Sequence, residues 1–408
     1  MTTDVSPPAA VKGSALEVLG VASRLGLTSF GGPVAHIGYF RAEYVGKRKW
    51  VDEATFADLV ALAQFLPGAA SSKLGIMLGI LRAGLLGGVA AWIGFTLPSV
   101  VLLTIFALTL QSYGQQASGW LHGLQIVAVA AVAQAVWSMA RSLAWDKERG
   151  TMALLAAAVI LSWQHPAALV VVIVACGAWG WRRFIGAQPA ATETRAHVHV
   201  PLSHAFWIGS AVLYFALLIG LPLARQVIPD QTLAMFDSFY RAGALVFGGG
   251  NVVLPLLQPE VVPPGWVSTD VFLAGYAAAQ AVPGPLFTFA AFLGAASTVA
   301  PNGPLGAAVA VAGIFLPSFL LAFVALGSWG LLRSRPDVQA LLRGVNAGVV
   351  GVLLAALYTP VGTNAILRPV DFALALVAFG ALAIHKIPPW AVVLFTAAGG
   401  ALITRLSP

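Results

Sequence analysis

Apolar residues run along this chain in long blocks, without the two-residue alternation of a half-buried strand. Asp, Glu, Lys and Arg are absent from Ala83 to Ala140, from Gly150 to Trp181, from Val271 to Leu332 and from Gly344 to Leu367. About 20 apolar residues carry a helix across the hydrocarbon core of a bilayer, so each block holds one crossing or a pair. Ala, Val, Leu, Ile and Gly fill the blocks, which predicts helices and not a barrel. The N-terminal MTTDVSPPAAVKGSALEV has no charged head before an apolar run and does not read as a secretory signal peptide. The predicted fold class is an all-α polytopic membrane protein.

One segment breaks the pattern. Arg182 to His204 is polar, Pro-containing and charged, and reads as a linker between two apolar halves. Its His197, His199 and His204 are a weak ligand set, so a solvated loop is expected there and no metal.

The two halves repeat each other. Phe30-Gly31-Gly32-Pro33 matches Phe247-Gly248-Gly249-Gly250 at an offset of 217, which also pairs Arg24 with Arg241, Gly26 with Gly243 and Glu43 with Glu260. One residue less pairs Trp50-Val51 with Trp266-Val267, and Gln64…Pro67-Gly68 with Gln280…Pro283-Gly284. Gly94…Pro98-Ser99 then matches Gly313…Pro317-Ser318. Loop charges orient the halves. Arg41, Lys47, Arg48 and Lys49 follow the first Gly-rich motif, whereas 251–268 carries no Lys or Arg. Around Gln111 to Ser118 there is no basic residue, but the counterpart loop carries Arg333 and Arg335. By the positive-inside rule, corresponding loops face opposite sides, and the linker with Arg182, Arg183 and Arg195 is cytoplasmic. The unmatched apolar run Ala205 to Ala224 supplies the crossing that inverts the second half. The expected organisation is a first repeat over 1–181, a linker over 182–204, an extra helix over 205–230 and a second repeat over 231–408.

If Lys47–Lys49 and Arg82 share one side, the chain between them enters the membrane and returns. Pro67-Gly68 sits at its midpoint, where a helix cannot easily continue, so a re-entrant hairpin with that tip is predicted. Pro283-Gly284-Pro285 marks the matching tip, and the Phe-Gly-Gly motifs mark a second pair of breaks. Pro98 and Pro317 are expected to kink their helices.

A break followed by a new helix presents backbone N–H groups and a positive dipole end, a set that suits a small oxyanion. The candidate binding residues are Arg24, Gly31, Gly32, His36, Gln64, Gly68, Ser71, Ser72, Lys73, Arg241, Gly249, Asn251, Gln280 and Gly284. Ionisable groups at membrane depth mark pathways or partnered sites, which singles out Arg24, Lys73 and Arg241. Lys73 faces Phe289 across the repeat, so the site is not electrostatically symmetric, and Lys73→Gln is expected to alter affinity for a dianion. Glu43, Glu260 and Asp58 are the candidates for proton coupling, with a surface ion pair as the alternative for Glu43.

Composition supports this reading. Of 408 residues, 59% are hydrophobic and 9% charged, with a mean hydropathy of +0.87. A soluble domain carries roughly 25% charged residues, so a cytosolic enzyme and a disordered regulator are excluded. The net charge of +7 is a loop bias and not a nucleic-acid footprint. The lone Cys176 excludes a disulfide framework or dithiol chemistry. No phosphate-binding ATPase loop, zinc-protease helix or serine-nucleophile motif is present, and no catalytic residue or cofactor is expected.

From Leu25 to Ser99, LGLTSFGGPVAHIGYFRAEYV…RKWVDE…FADLVALAQFLPG…SS…GFTLPS resembles the first half of bacterial chromate transport proteins. From Phe247 to Phe319, FGGGNVVLPLLQPEVV…GWVS…FLAGYAAAQAVPGP…LPSF is similar to their second half. The resemblance implies a long, two-domain chromate efflux carrier of the bacterial inner membrane, driven by the membrane potential or proton gradient and conferring chromate resistance. Its implied partners are chromate, sulfate as an isosteric competitor, the lipid bilayer and, left open, a second copy in a homodimer. An anion channel of the same architecture is the alternative. Family members usually read Pro-Gly-Pro-Ala-Ser-Ser-Gln at the first tip; here Ala69 and Lys73 depart from that pattern.

Overall fold

A computed structural model describes residues 13–113, 118–163, 165, 167–186, 203–247, 249–332 and 336–406. Every regular element among the described residues is a helix. In the first half, α1 (Ala15–Thr28) starts at Ser14, whose hydroxyl accepts the Glu17 N–H, and stops at Ser29. Gly31 and Gly32, with φ of +98° and +76°, turn the chain into α2 (Gly32–Phe40), which runs on through a π-helical stretch, Arg41–Lys47. Asp52 caps α3 (Glu53–Phe65), and the Pro67-Gly68 turn leads into α4 (Ala70–Tyr113). Next come α5 (Ser118–Leu143), α6 (Lys147–Ser162) and α7 (Ala167–Phe184).

The unmatched crossing is α8 (His204–Val227). Arg182 and Arg183 belong to the last turn of α7 and His204 opens α8, so the expected linker is shorter at both ends. Its middle, 187–202 with His197 and His199, lies outside the described residues.

The second half repeats the order. It comprises α9 (Gln231–Leu245), a 3-10 turn at Gly250–Val252, α10 (Val253–Val261) and α11 (Thr269–Ala281). A second 3-10 turn, Leu286–Thr288, leads into α12 (Phe289–Ala296) and α13 (Gly303–Leu332). Then follow α14 (Pro336–Ala356), a π-helical stretch at Leu357–Gly362, the single turn α15 (Thr363–Ala365), α16 (Pro369–Ala383) and α17 (Pro389–Leu406). Six helices among the described residues are long and apolar enough to cross a membrane.

The break in α4 lies at Ala83–Gly84, which leave helical torsions, while the helix continues through Pro98. Its two limbs fold onto each other, with Gly79 against Gly87: a Cβ on either would collide with the other's carbonyl. In the second half, Gly294 and Gly306 make the same contact between α12 and α13. Small residues let helix backbones approach this closely in a membrane, where apolar collapse between helices gains nothing over lipid contact.

Both hairpins close at their bases. Arg48 and Arg82 each reach Glu17, at 3.8 and 3.1 Å, and each lies over the Trp50 ring, at 5.7 and 5.2 Å from its centroid. The chain from Asp52 to Leu81 therefore leaves this end and comes back to it. At the matching base, Thr298 N–H donates to the Trp266 carbonyl at 2.8 Å.

The two halves are intertwined. α5 packs on α16 and α17 of the second half, and its counterpart α14 packs on α6 and α7 of the first. Gly123 on α5 meets Gly400 on α17, and Gly344 on α14 meets Gly180 on α7, so each interface is the other's mirror in sequence. Such reciprocal contacts are what a two-fold relation between the repeats produces. With the opposite charge bias of corresponding loops, this is an inverted repeat. Exposed apolar side chains such as Val212, Phe215 and Ile219 on α8 give the outer wall the composition of a lipid-facing surface.

Candidate functional site

The hairpin tips are exchanged between halves. Gly68 N–H donates to the carbonyl of Val246, at the end of α9, at 2.7 Å. Gly284 N–H donates to the carbonyl of Ser29, at the end of α1, at 2.9 Å. Val246 and Ser29 are repeat equivalents, as are Gly68 and Gly284. Ser318 on α13 accepts the Ala69 N–H at 3.1 Å, and its equivalent Ser99 on α4 donates to the Pro283 carbonyl. Both glycines sit at φ near +100°, where L side chains are disfavoured. A Cβ on Gly68 would lie 2.8 Å from Ser318 Oγ, and one on Gly284 would collide with Ser99 Oγ. Four broken helices thus converge at two pseudo-equivalent junctions.

This geometry corrects the expectation of open backbone donors at the tips. The Gly68 and Gly284 amides are engaged by carbonyls of the opposite half, and the Ala69 amide by a hydroxyl. Lys73 is also engaged. It is 1% exposed, and its ammonium donates to the carbonyls of Leu66 and of Pro67, the latter at 2.7 Å. It holds the end of α3, whose last carbonyls have no helical partner.

The matched glutamines have diverged. Gln64 is exposed, while Gln280 donates to Asn251 Oδ1 at 3.1 Å and to the Tyr276 hydroxyl at 3.0 Å, with Tyr276 donating to the same Asn251 oxygen. Gly249, at φ +130°, lies at the break that precedes Asn251, as Gly31 and Gly32 lie at the break before His36.

A buried group of side chains keeps its hydrogen-bonding capacity unused. The hydroxyls of Ser29, Ser72 and Thr96 have no hydrogen-bond partner among the described residues, and the His36 imidazole has at most the Ser29 backbone as one. All four residues are buried, His36 and Ser29 completely. The His36 ring stands edge-on to Phe95 at 5.2 Å, and the Ser29 backbone lies beside it. Ser71 is buried next to Ser72 at the start of α4.

Both matched Arg–Glu pairs are brought together. Arg24 lies 3.9 Å from Glu43, which is buried and pairs with Arg48 at 2.7 Å. Arg241 is far more tightly held, forking onto Glu260 at 2.8 and 2.7 Å and onto Asp237 with two bonds of 3.0 Å. Ser238 donates to Glu260 at 2.7 Å, and Arg225 adds a second cation 3.5 Å from Asp237. Bidentate Arg–carboxylate geometry of this kind is stiff and strong. The sequence does not single out Asp237 or Arg225, and it marks Arg48 only as a loop charge. Asp237 stands four residues before Arg241, a spacing that faces it on one helix side and was the available signal. Asp58 is buried in α3. Among the described residues, no group of three or more His, Cys, Asp or Glu stands together as a metal site.

Comparison with known proteins gives a concordant picture. A family model described as chromate transporter matches residues 16–181 and 233–402. The chain is 29% identical to a chromate transport protein of Pseudomonas aeruginosa over 81% of its own length and 77% of that protein. It is 27% identical to a chromate transport protein of Cupriavidus metallidurans, over 82% and 79% of the two chains. An uncharacterized transporter of Methanocaldococcus jannaschii is 26% identical over 84% and 83%. No solved structure matches the chain.

Proposed function

The chain belongs to the chromate transporter family, and on that premise we propose that it carries chromate out of the cell across the bacterial inner membrane. It acts as a secondary carrier, confers chromate resistance, and takes sulfate as an isosteric competitor. The observation that carries this reading is the reciprocal docking of Gly68 on Val246 and Gly284 on Ser29. Non-helical backbone persists at membrane depth only when buried in protein or lining a polar path. Two such breaks per half, bonded across an inverted repeat, are the arrangement on which alternating access operates.

In this mechanism the two junctions form the centre, and the Arg24–Glu43 and Arg241–Glu260 clusters form the ends. Inversion places those clusters toward opposite faces, with the 47–49 loop and the linker on the cytoplasmic side. Arg241 grips Glu260 with bidentate bonds, whereas Glu43 takes its short bond from Arg48 at 2.7 Å and stands 3.9 Å from Arg24, so the two ends are held differently. A carrier alternates between such states, and proton exchange at Glu43, or at Glu260 once its bonds to Arg241 are released, couples the alternation to the proton gradient. Arg24 and Arg241 guide the anion at the entrances.

Everted membrane vesicles provide the test, because export from cells becomes uptake into vesicles. Energised vesicles containing the protein are expected to accumulate labelled chromate above vesicles that lack it. Equal uptake in both would remove the reading.

A further inference from the structure

The two junctions are built alike in backbone but not in side chains. The buried polar groups near the first-half junction elements, Ser29, His36, Ser72 and Thr96, have repeat equivalents in the second half that are apolar or satisfied. Ser29 corresponds to Val246, His36 to Val253 and Thr96 to Phe315. Ser72 corresponds to Thr288, whose hydroxyl donates to the Pro285 carbonyl at 2.7 Å. A buried polar group without a partner destabilises the fold, and an isosteric apolar residue avoids that cost. At three of the four positions the second half has an apolar residue where the first has a polar one.

Ser29 and His36 are adjacent, and Thr96 and Ser72 lie on α4 near residues that touch them. Ser29 both carries an unpartnered hydroxyl and holds the Gly284 amide through its carbonyl. Its backbone lies beside the His36 imidazole. Phe95, which meets the His36 ring, presents its carbonyl to Gly284, within 3.2 Å of where a Cβ would stand, and Thr96 follows it in α4. Ser72 lies one turn before Gly75, against which Phe40 packs, and Phe40 lies one turn after His36. The tip that faces them, Pro283-Gly284-Pro285, has two prolines without N–H groups and one amide already engaged, so donors must come from side chains.

We propose that the transported anion binds at one junction only, where the second-half tip meets the end of α1, and that His36 and Ser29 are its side-chain donors, with Ser72 and Thr96 completing the set. The set is neutral, donor-capable and free of carboxylates, which suits a small tetrahedral oxyanion and rejects cations. Lys73 stays outside it, holding the end of α3. The proposal rests on the oxyanion-transport reading above and specifies which of its two symmetric centres carries the ligand.

The test measures concentration-dependent flux of chromate and of sulfate in proteoliposomes for the intact protein, His36→Leu, His36→Gln, Ser29→Ala and the mirror variant Val253→Ala. The thermal midpoint of each variant, with and without sulfate, reports folding and binding separately from turnover. His36→Leu is expected to raise KM about tenfold or more and to lose the sulfate-induced rise in midpoint, as the loss of a hydrogen bond to a charged ligand implies. His36→Gln, which keeps a donor, recovers part of the affinity, and Ser29→Ala raises KM several-fold. Val253→Ala keeps the KM of the intact protein. A folded His36→Leu and Ser29→Ala with unchanged KM and unchanged sulfate shift would overturn the proposal, as would a Val253→Ala effect as large as that of His36→Leu. Should His36→Leu fail to fold, Ser29→Ala and His36→Gln decide by the same criterion. If the intact protein moves neither anion, the transport reading itself fails and the site inference falls with it.

Discussion

Gly284 hangs on Ser29: the amide of a hairpin tip in the second half donates, at 2.9 Å, to the carbonyl that ends the first helix of the first half. The equivalent bond from Gly68 to Val246 closes the exchange in the other direction at 2.7 Å. Neither half can therefore complete its own tip, and the centre of the molecule exists only when both are folded.

Replacing either tip glycine should show this directly. A non-glycine residue at positive φ costs about 1–2 kcal/mol from its own backbone. At Gly284 the added methyl also meets Ser99 Oγ, which already serves the Pro283 carbonyl. Gly284→Ala is expected to lower the thermal midpoint more than Gly68→Ala, and both more than Gly20→Ala, where a Cβ meets nothing within 4 Å.

The two Arg–Glu clusters should respond differently to loss of the arginine. Removing Arg241 leaves Asp237, whose side chain is 1% exposed, beside Glu260. With only Arg225, at 3.5 and 3.9 Å, left to face the two carboxylates, the loss is expected to reach about 3 kcal/mol, the lower end of the range for breaking a buried pair. Arg24 is 61% exposed and 3.9 Å from its partner, so Arg24→Ala should shift stability by about 1 kcal/mol or less. Denaturation in mild detergent compares the two, and equal losses would show that the clusters are equivalent after all.

Lys73 is the position where sequence and structure lead to different experiments. The sequence places an ammonium beside a helix start and points to anion affinity. The structure places it on the carbonyls of Leu66 and Pro67. Lys73→Met is then expected to destabilise the first hairpin by about 1–3 kcal/mol through the orphaned carbonyls, with anion KM changed less than twofold. A large change in KM in a stable variant would return Lys73 to the binding set.

Much of the architecture was legible because duplication writes itself twice. The Phe-Gly-Gly and Pro-Gly motifs, the extra helix α8 and the equivalence of Arg24 with Arg241 and of Glu43 with Glu260 all follow from the offset near 217, while the Arg–Glu contacts themselves do not. The exchange between halves was not legible. Gly123 and Gly400, or Gly180 and Gly344, carry no mark of whether they pack within a half or across it. The open-amide reading of Gly68 and Gly284 failed for the same reason, since their acceptors come from the other half. Ser29 gave no sequence signal, because an unpartnered hydroxyl becomes visible only once its surroundings are known. Asp237 matches Gly20, so a search guided by repeat identities passes over it.

The glycine contacts across the exchange also predict a folding phenotype. A Cβ on Gly344 would collide with the Cys176 carbonyl on α7 and press on the Gly180 backbone, neither of which is a flexible side-chain end. Gly344→Leu should therefore separate α14 from α6 and α7. Size-exclusion chromatography in detergent is expected to show loss of the monodisperse species, while Gly380→Leu, where a Cβ meets nothing within 4 Å, elutes as the parent does.

The most direct test of the account is labelled chromate flux into proteoliposomes across a range of chromate concentrations, with and without an imposed pH gradient. A secondary carrier predicts flux that saturates and that the gradient accelerates. Flux that grows linearly with chromate and ignores the pH gradient, or no chromate flux at all beside an intact and correctly sealed preparation, would contradict it.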